Sequence, residues 1–169
     1  MAAASGGSEE TRPVSRPGPD AKRRAARIRR VRRQASLLVV IGVGGALGAL
    51  SRYAISLALP APTGHMPWGV LLINVSGALA LGFVLTLLAE QFPRSRFARP
   101  LIGTGFIGAY TTFSTWMVDV VSLVRSGNTA TALEYVVLSL VAGLAAVVIG
   151  VAAARTLVRA WRGMQQEAT

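Results

Sequence analysis

Apolar positions along this chain gather into four runs, roughly 37–59, 68–89, 100–124 and 132–154, separated by short connections. An α-helix rises about 1.5 Å per residue, so crossing about 30 Å of hydrocarbon takes about 20 residues. Each run meets that length. Every proline lies outside a run or at its edge, as Pro60, Pro62 and Pro67 do between the first two and Pro93 and Pro100 do before the third. The pattern predicts an all-α integral membrane protein with four transmembrane helices stacked as hairpins, and no soluble catalytic domain.

Composition sharpens this picture through a conflict. Of 169 residues, 52% are hydrophobic and 15% charged, yet the formal net charge is +11, from 18 Lys plus Arg against 7 Asp plus Glu. Position resolves the conflict. Residues 1–35 hold ten of the basic residues, from Arg12 to Arg33, on a Pro-, Gly- and Ala-rich background. Such a stretch buries too little apolar surface to offset its ordering entropy, so the expectation is a disordered basic cytoplasmic tail. Residues 36–159 would then form the membrane subunit and 160–169 a C-terminal tail. A basic arm suits nucleic acid or anionic lipid. The plainer reading is a tail that fixes topology, and no nucleic-acid partner is assigned to it. Arg32 and Arg33 ahead of Leu37 and Leu38 resemble a twin-arginine export signal, but the apolar run that follows is too long for a signal and lacks a clear cleavage site.

Counting Lys and Arg by side gives ten in the tail, three after the second run (Arg94, Arg96, Arg99) and three at the C-terminal end (Arg155, Arg159, Arg162). The opposite side has only Arg125, with Arg52 inside the first run left aside. The positive-inside rule places both termini in the cytoplasm of a multi-pass cell-membrane protein.

The chain has no Cys and one His, His65, which excludes disulfide scaffolds, thiolate metal clusters and thiol catalysis. No nucleophile with a base and no pair of carboxylates stands out, so an enzyme is not expected. Gly44 and Gly48 form a small-xxx-small pair for close helix approach. Gly103, Gly105 and Gly108 spell the dinucleotide fingerprint, but inside an apolar run with no acidic residue about 20 positions on, so that motif is coincidental.

Polar residues inside the runs carry the remaining information, since each is costly in lipid unless paired or facing water. Thr111, Thr112, Ser114 and Thr115 put four hydroxyls in five positions at the midpoint of the third run, just after three glycines. One or two hydroxyls could simply bond back to the preceding turn. Four argue for a helix break at the bilayer centre, where freed carbonyls can coordinate a cation. Asn74, roughly 10 Å into the second run, either bonds across helices or donates to a passing anion. Tyr135, Ser139 and Gly143 share one face of the fourth helix. Arg52 either snorkels to the interface or acts electrostatically near an anion entrance. Asp119 is expected to pair with a basic residue or sit in a vestibule, and Glu134 suits the positive start of the fourth helix.

These residues resemble a known family. Gly108-Ala109-Tyr110-Thr111-Thr112-Phe113-Ser114-Thr115-Trp116 is similar to the signature of the CrcB/Fluc fluoride channels, whose usual form ends Thr-Thr-Phe-Ser-Thr-Phe. The likeness covers residues 37–157 and includes Gly44 to Tyr53 and Trp68 to Gly77. It implies an antiparallel, dual-topology dimer with two fluoride pathways along its interface and a central structural sodium ion. Carried onto this chain, the sodium ligands are the backbone carbonyls of Gly108 and Thr111. Phe113 is the first ring of a phenylalanine box and offers its electropositive edge to the anion. Trp116 takes the second ring position, a departure that either serves as an edge or narrows the path. Asn74 becomes an amide donor to fluoride, and Tyr135 and Ser139 a hydroxyl track. Thr112, Ser114 and Thr115 are further hydroxyls at channel depth.

The function implied is passive, fluoride-selective export that lowers cytoplasmic fluoride. The alternative is a small four-helix proton-coupled multidrug or cation exporter, which needs a membrane-embedded carboxylate that the first run lacks. A membrane anchor with a DNA- or lipid-binding arm leaves Asn74 and the hydroxyl cluster unexplained. The partner is either a second copy or an oppositely oriented paralogue, and the uneven spread of basic residues across the two sides points to the paralogue.

Overall fold

A computed structural model of the chain describes residues 19–92 and 95–167. Every regular element among them is helical. In chain order these are α1 (Pro19–Ala58), α2 (Trp68–Gln91), a π-helix π1 (Arg99–Ile107), a single turn α3 (Gly108–Tyr110), α4 (Phe113–Arg125) and α5 (Thr129–Glu167). Four stretches are long and apolar enough to cross a bilayer: Arg27–Ala58, Trp68–Gln91, Arg99–Arg125 and Thr129–Gln166. The protein is therefore an all-helical, multi-pass membrane protein.

Two helices outrun their apolar stretches. α1 begins at Pro19, inside the segment expected to be disordered; residues 1–18 lie outside the described residues. Proline suits a first helical position, Asp20 sits in the first turn against the positive helix end, and the Ala- and Arg-rich stretch that follows is made of good helix formers. α5 likewise continues through the expected C-terminal tail to Glu167. There Arg162, exposed, reaches the half-buried Glu90 near the end of α2 at 3.5 Å, a surface pair worth little by itself.

The chain divides after Ala35 into two units. Within the second, glycines set how closely the helices approach. A Cβ at Gly82 of α2 would strike the Val147 carbonyl of α5, and one at Gly150 would strike the Leu79 carbonyl. Gly44 and Gly48 of α1 meet the carbonyls of Leu101 and Phe106 in the same way, so the small-xxx-small pair seats α1 against π1. Between α4 and α5, Gly127 takes φ +82° and the Asn128 amide donates to the Leu123 carbonyl at 2.9 Å, which closes the end of α4. A small core of Leu71, Leu123, Ala132 and Tyr135 lies between α2, α4 and α5, with Trp116 packed against it. Elsewhere large apolar side chains such as Leu38, Leu144 and Val148 point outward, as lipid-facing residues do.

Candidate functional site

The third span changes character where its hydroxyl cluster lies. α3 ends at Tyr110, and the backbone then runs extended through Thr111 (φ −74°, ψ 157°) and Thr112 (φ −146°, ψ 123°) before α4 starts at Phe113. Thr112 is the N-cap of α4. Its Oγ1 accepts from the Thr115 amide at 3.2 Å, donates to Thr115 Oγ1 at 2.9 Å and lies 3.4 Å from Ser114 Oγ. A capping threonine satisfies one of the orphan amides of a helix start.

Asn74 holds this segment from the neighbouring helix. Its Nδ2 donates to the Thr112 carbonyl at 3.0 Å, and its Oδ1 accepts from the Thr112 amide at 2.9 Å. Of the two roles open to Asn74 in the sequence, the structure contains the cross-helix bond. One amide hydrogen of Nδ2 is used in it, and a primary amide has two.

These bonds redirect the backbone ladder. In a continuous helix the Thr112 amide would serve the Gly108 carbonyl, and the Thr115 amide would serve the Thr111 carbonyl. Here the first goes to Asn74 Oδ1 and the second to Thr112 Oγ1. The Thr111 amide and Oγ1 both turn back to the Ile107 carbonyl, each at 3.0 Å.

An open cavity of about 520 Å³ lies against these extended residues, between α2, the third span and α5. Its walls include Asn74, Gly108, Thr111, Thr112, Phe113, Trp116 and Ser139, joined by apolar residues such as Ala78, Leu81 and Leu140. Phe113 is 74% exposed, and its ring sits 5.6 Å from the Trp116 ring, centroid to centroid. Trp116 Nε1 donates to Ser139 Oγ at 3.0 Å. None of the lining residues carries a formal charge.

Other nominated residues lie off the cavity walls. Ser114 and Thr115 are exposed at the start of α4 and reach the site only through Thr112. Arg52 is half-buried on α1. Tyr135 is fully buried in the core, its ring 6.2 Å from that of Trp116 and its hydroxyl donating to Asp119 Oδ2 at 3.4 Å. Asp119 thus has a tyrosine partner in place of the expected basic one. Sequence reasoning missed Ser76, whose Oγ lies 2.8 Å from the Tyr110 hydroxyl and ties α2 to α3. The available signal was its place two residues after Asn74 in the same apolar run.

Fold and site together define a small four-span membrane protein with an uncharged, partly polar cavity at the middle of its third span. The chain belongs to the CrcB family: the family model described as "CrcB-like protein, Camphor Resistance (CrcB)" matches residues 39–151. Among its relatives, it is 42% identical over 120 residues to "Fluoride-specific ion channel FluC 2" of Nocardia farcinica, covering 71% of this chain and 86% of that one. It is 40% identical over 131 residues to "Fluoride-specific ion channel FluC 1" of Streptomyces coelicolor, covering 78% and 84%. To "Fluoride-specific ion channel FluC 3" of Streptomyces avermitilis it is 43% identical over 126 residues, 75% of this chain and 62% of that longer one.

Proposed function

We infer that this protein is a fluoride channel of the cell membrane and not an enzyme, conducting fluoride passively down its gradient and so lowering cytoplasmic fluoride. The observation that carries the reading is the cavity at the break, where Asn74, Phe113, Trp116 and Ser139 meet without a charged group in a relative of fluoride-specific channels. Fluoride is small, hard and strongly hydrated. Removing its water in a low-dielectric path is costly unless several donors replace that water together. The second amide hydrogen of Asn74, the Ser139 hydroxyl and the positive edges of Phe113 and Trp116 are such donors. Uncharged donors also suit conduction, which needs binding firm enough for entry and weak enough for exit. Thr112 holds Asn74 in place and caps α4. Ser114 and Thr115 support that cap, Tyr135 backs the Trp116 ring, and Arg52 contributes positive potential near an entrance.

A structural sodium ion belongs to the same reading. Carbonyls freed from a helical ladder are suited to a hard cation, and the Gly108 and Thr111 carbonyls are among those whose helical amides are diverted. Those two carbonyls would hold the ion, which would supply a fixed positive charge beside the cavity. The assembly is an antiparallel dimer, formed either with a second copy or with an oppositely oriented paralogue. Sixteen basic residues on one side against one on the other favour a single insertion direction, with both termini cytoplasmic, and hence the paralogue. The relatives' own numbering, FluC 1 to FluC 3, agrees with families of sibling chains. The proton-coupled exporter is not favoured, since Asp119, the carboxylate of the third span, is engaged by Tyr135.

Fluoride efflux from liposomes holding the purified protein, read with a fluoride electrode, tests the function. Rapid efflux that chloride does not share is expected. Proton-coupled cation uptake without fluoride efflux would establish the exporter instead. Preparing the protein with a bulky cation in place of sodium should loosen the dimer, and an unchanged dimer would remove the ion from the account.

A further inference from the structure

Hydroxyls inside helices have a habitual partner, the carbonyl of the preceding turn. Ser51, Ser56 and Ser76 each donate to the carbonyl four residues back, at 2.9, 3.0 and 2.6 Å, and Thr111 does so at 3.0 Å. Ser139 departs from them. Its Oγ accepts the indole N–H of Trp116 at 3.0 Å, and among the described residues nothing accepts its own proton. A serine hydroxyl has one proton and two acceptor lone pairs, so accepting from Trp116 leaves the proton to be given elsewhere. The side chain borders the cavity that also contains Asn74 and Phe113.

We propose that Trp116 is a positioning residue: its indole N–H holds Ser139 so that the Ser139 hydroxyl is a donor toward the anion in the cavity. The proposal rests on the reading of this cavity as the fluoride path and adds a specificity-determining role that a phenylalanine at position 116 cannot fill, because a phenyl ring has no N–H to give the Ser139 oxygen. Without the indole N–H, Ser139 reverts to the habit of its neighbours and gives its proton to the Tyr135 carbonyl, which takes a donor out of the path. The indole is well placed to impose this. Its ring lies 5.6 Å from that of Phe113 and 6.2 Å from that of Tyr135, and Tyr135 is anchored in turn on Asp119. Trp116 is only partly exposed and packs on the core, so the ring is held by its neighbours and the N–H direction follows.

The test replaces Trp116 by 3-benzothienylalanine, which keeps the bicyclic ring and lacks the N–H, and measures fluoride efflux from liposomes alone and combined with Ser139→Ala. Each change alone is expected to slow efflux about tenfold, the scale of one net hydrogen bond, and the pair together no further than Ser139→Ala alone. Wild-type efflux from the benzothienylalanine protein, or two effects that multiply, would overturn the proposal. A second readout needs no conduction. In the chain carrying Trp68→Phe and Trp161→Phe, the one remaining indole N–H resonance should move on Ser139→Ala, and an unmoved resonance would overturn the pairing. Failure of the channel reading looks different, since the unaltered protein then passes no fluoride while the resonance still shifts.

Discussion

The α2 and α5 pair and the third span solve the same problem, satisfying backbone polar groups in lipid, in opposite ways. α2 and α5 keep regular ladders and approach until Gly82 lies on the Val147 carbonyl and Gly150 on the Leu79 carbonyl. Their stability rests on packing, and their backbones have no bond to give a solute. The third span opens its ladder at Thr111 and Thr112 and takes replacements from side chains, two from Asn74 and one from the Thr112 hydroxyl. Non-helical backbone at membrane depth survives only when protein or an aqueous cavity surrounds it. The regular pair is thus the frame, and the irregular span places polar groups against a cavity.

Substitutions that exchange these roles should separate the two regions. The largest effect on assembly is expected at Gly82→Val, where new carbons meet the Val147 backbone and nothing flexible can yield. Overpacking there should cost about 3 kcal/mol and deplete the folded protein on size exclusion in detergent. Normal yield and melting temperature would mean that α2 and α5 are free to separate. Thr112→Val keeps the volume and removes the cap, so a loss of about 1 kcal/mol is expected in thermal melts, with fluoride efflux reduced a few-fold, about what one cap contributes. An unchanged melt would show that lipid-embedded α4 does not depend on that hydroxyl. The smallest effect belongs to Gly143→Ala on α5. Nothing lies within 4 Å of the added carbon, so the change should stabilise the helix by no more than about 1 kcal/mol and leave efflux unaltered. A strong loss of efflux would show that position 143 faces a partner the lone chain does not contain.

The same contrast explains what was legible in the sequence. Four spans follow from apolar length, because hydrocarbon thickness sets a minimum run. Helix ends do not follow from it. Apolarity marks where lipid ends, whereas Ala, Arg and Gln keep α1 and α5 helical outside the apolar runs, back to Pro19 and on to Glu167. The extended dihedrals of Thr111 and Thr112 fall inside the hydroxyl cluster that the sequence marks out, since four hydroxyls are abnormal in a lipid-embedded run. The partner of Thr112 was not legible, because Asn74 is 38 residues away and an amide offers no directional signal in one dimension. Spacing also misleads over faces. Tyr135 and Ser139 are one turn apart, yet Tyr135 is sealed in the core and Ser139 borders the cavity. Which side of α5 is covered depends on α4, whose Leu123 and Trp116 pack beside Tyr135 through contacts distant in sequence.

The central claim is that Asn74 holds the third span open and thereby builds the fluoride path. Fluoride efflux from liposomes carrying Asn74→Ala, measured beside the unaltered protein, tests it most directly. Removing the amide strips a donor from the cavity and leaves the Thr112 amide and carbonyl without partners, at roughly 1–3 kcal/mol for each. The account predicts efflux slowed at least about a hundredfold, equivalent to about 2.7 kcal/mol in the barrier. A variant that assembles and conducts fluoride at the unaltered rate would contradict it.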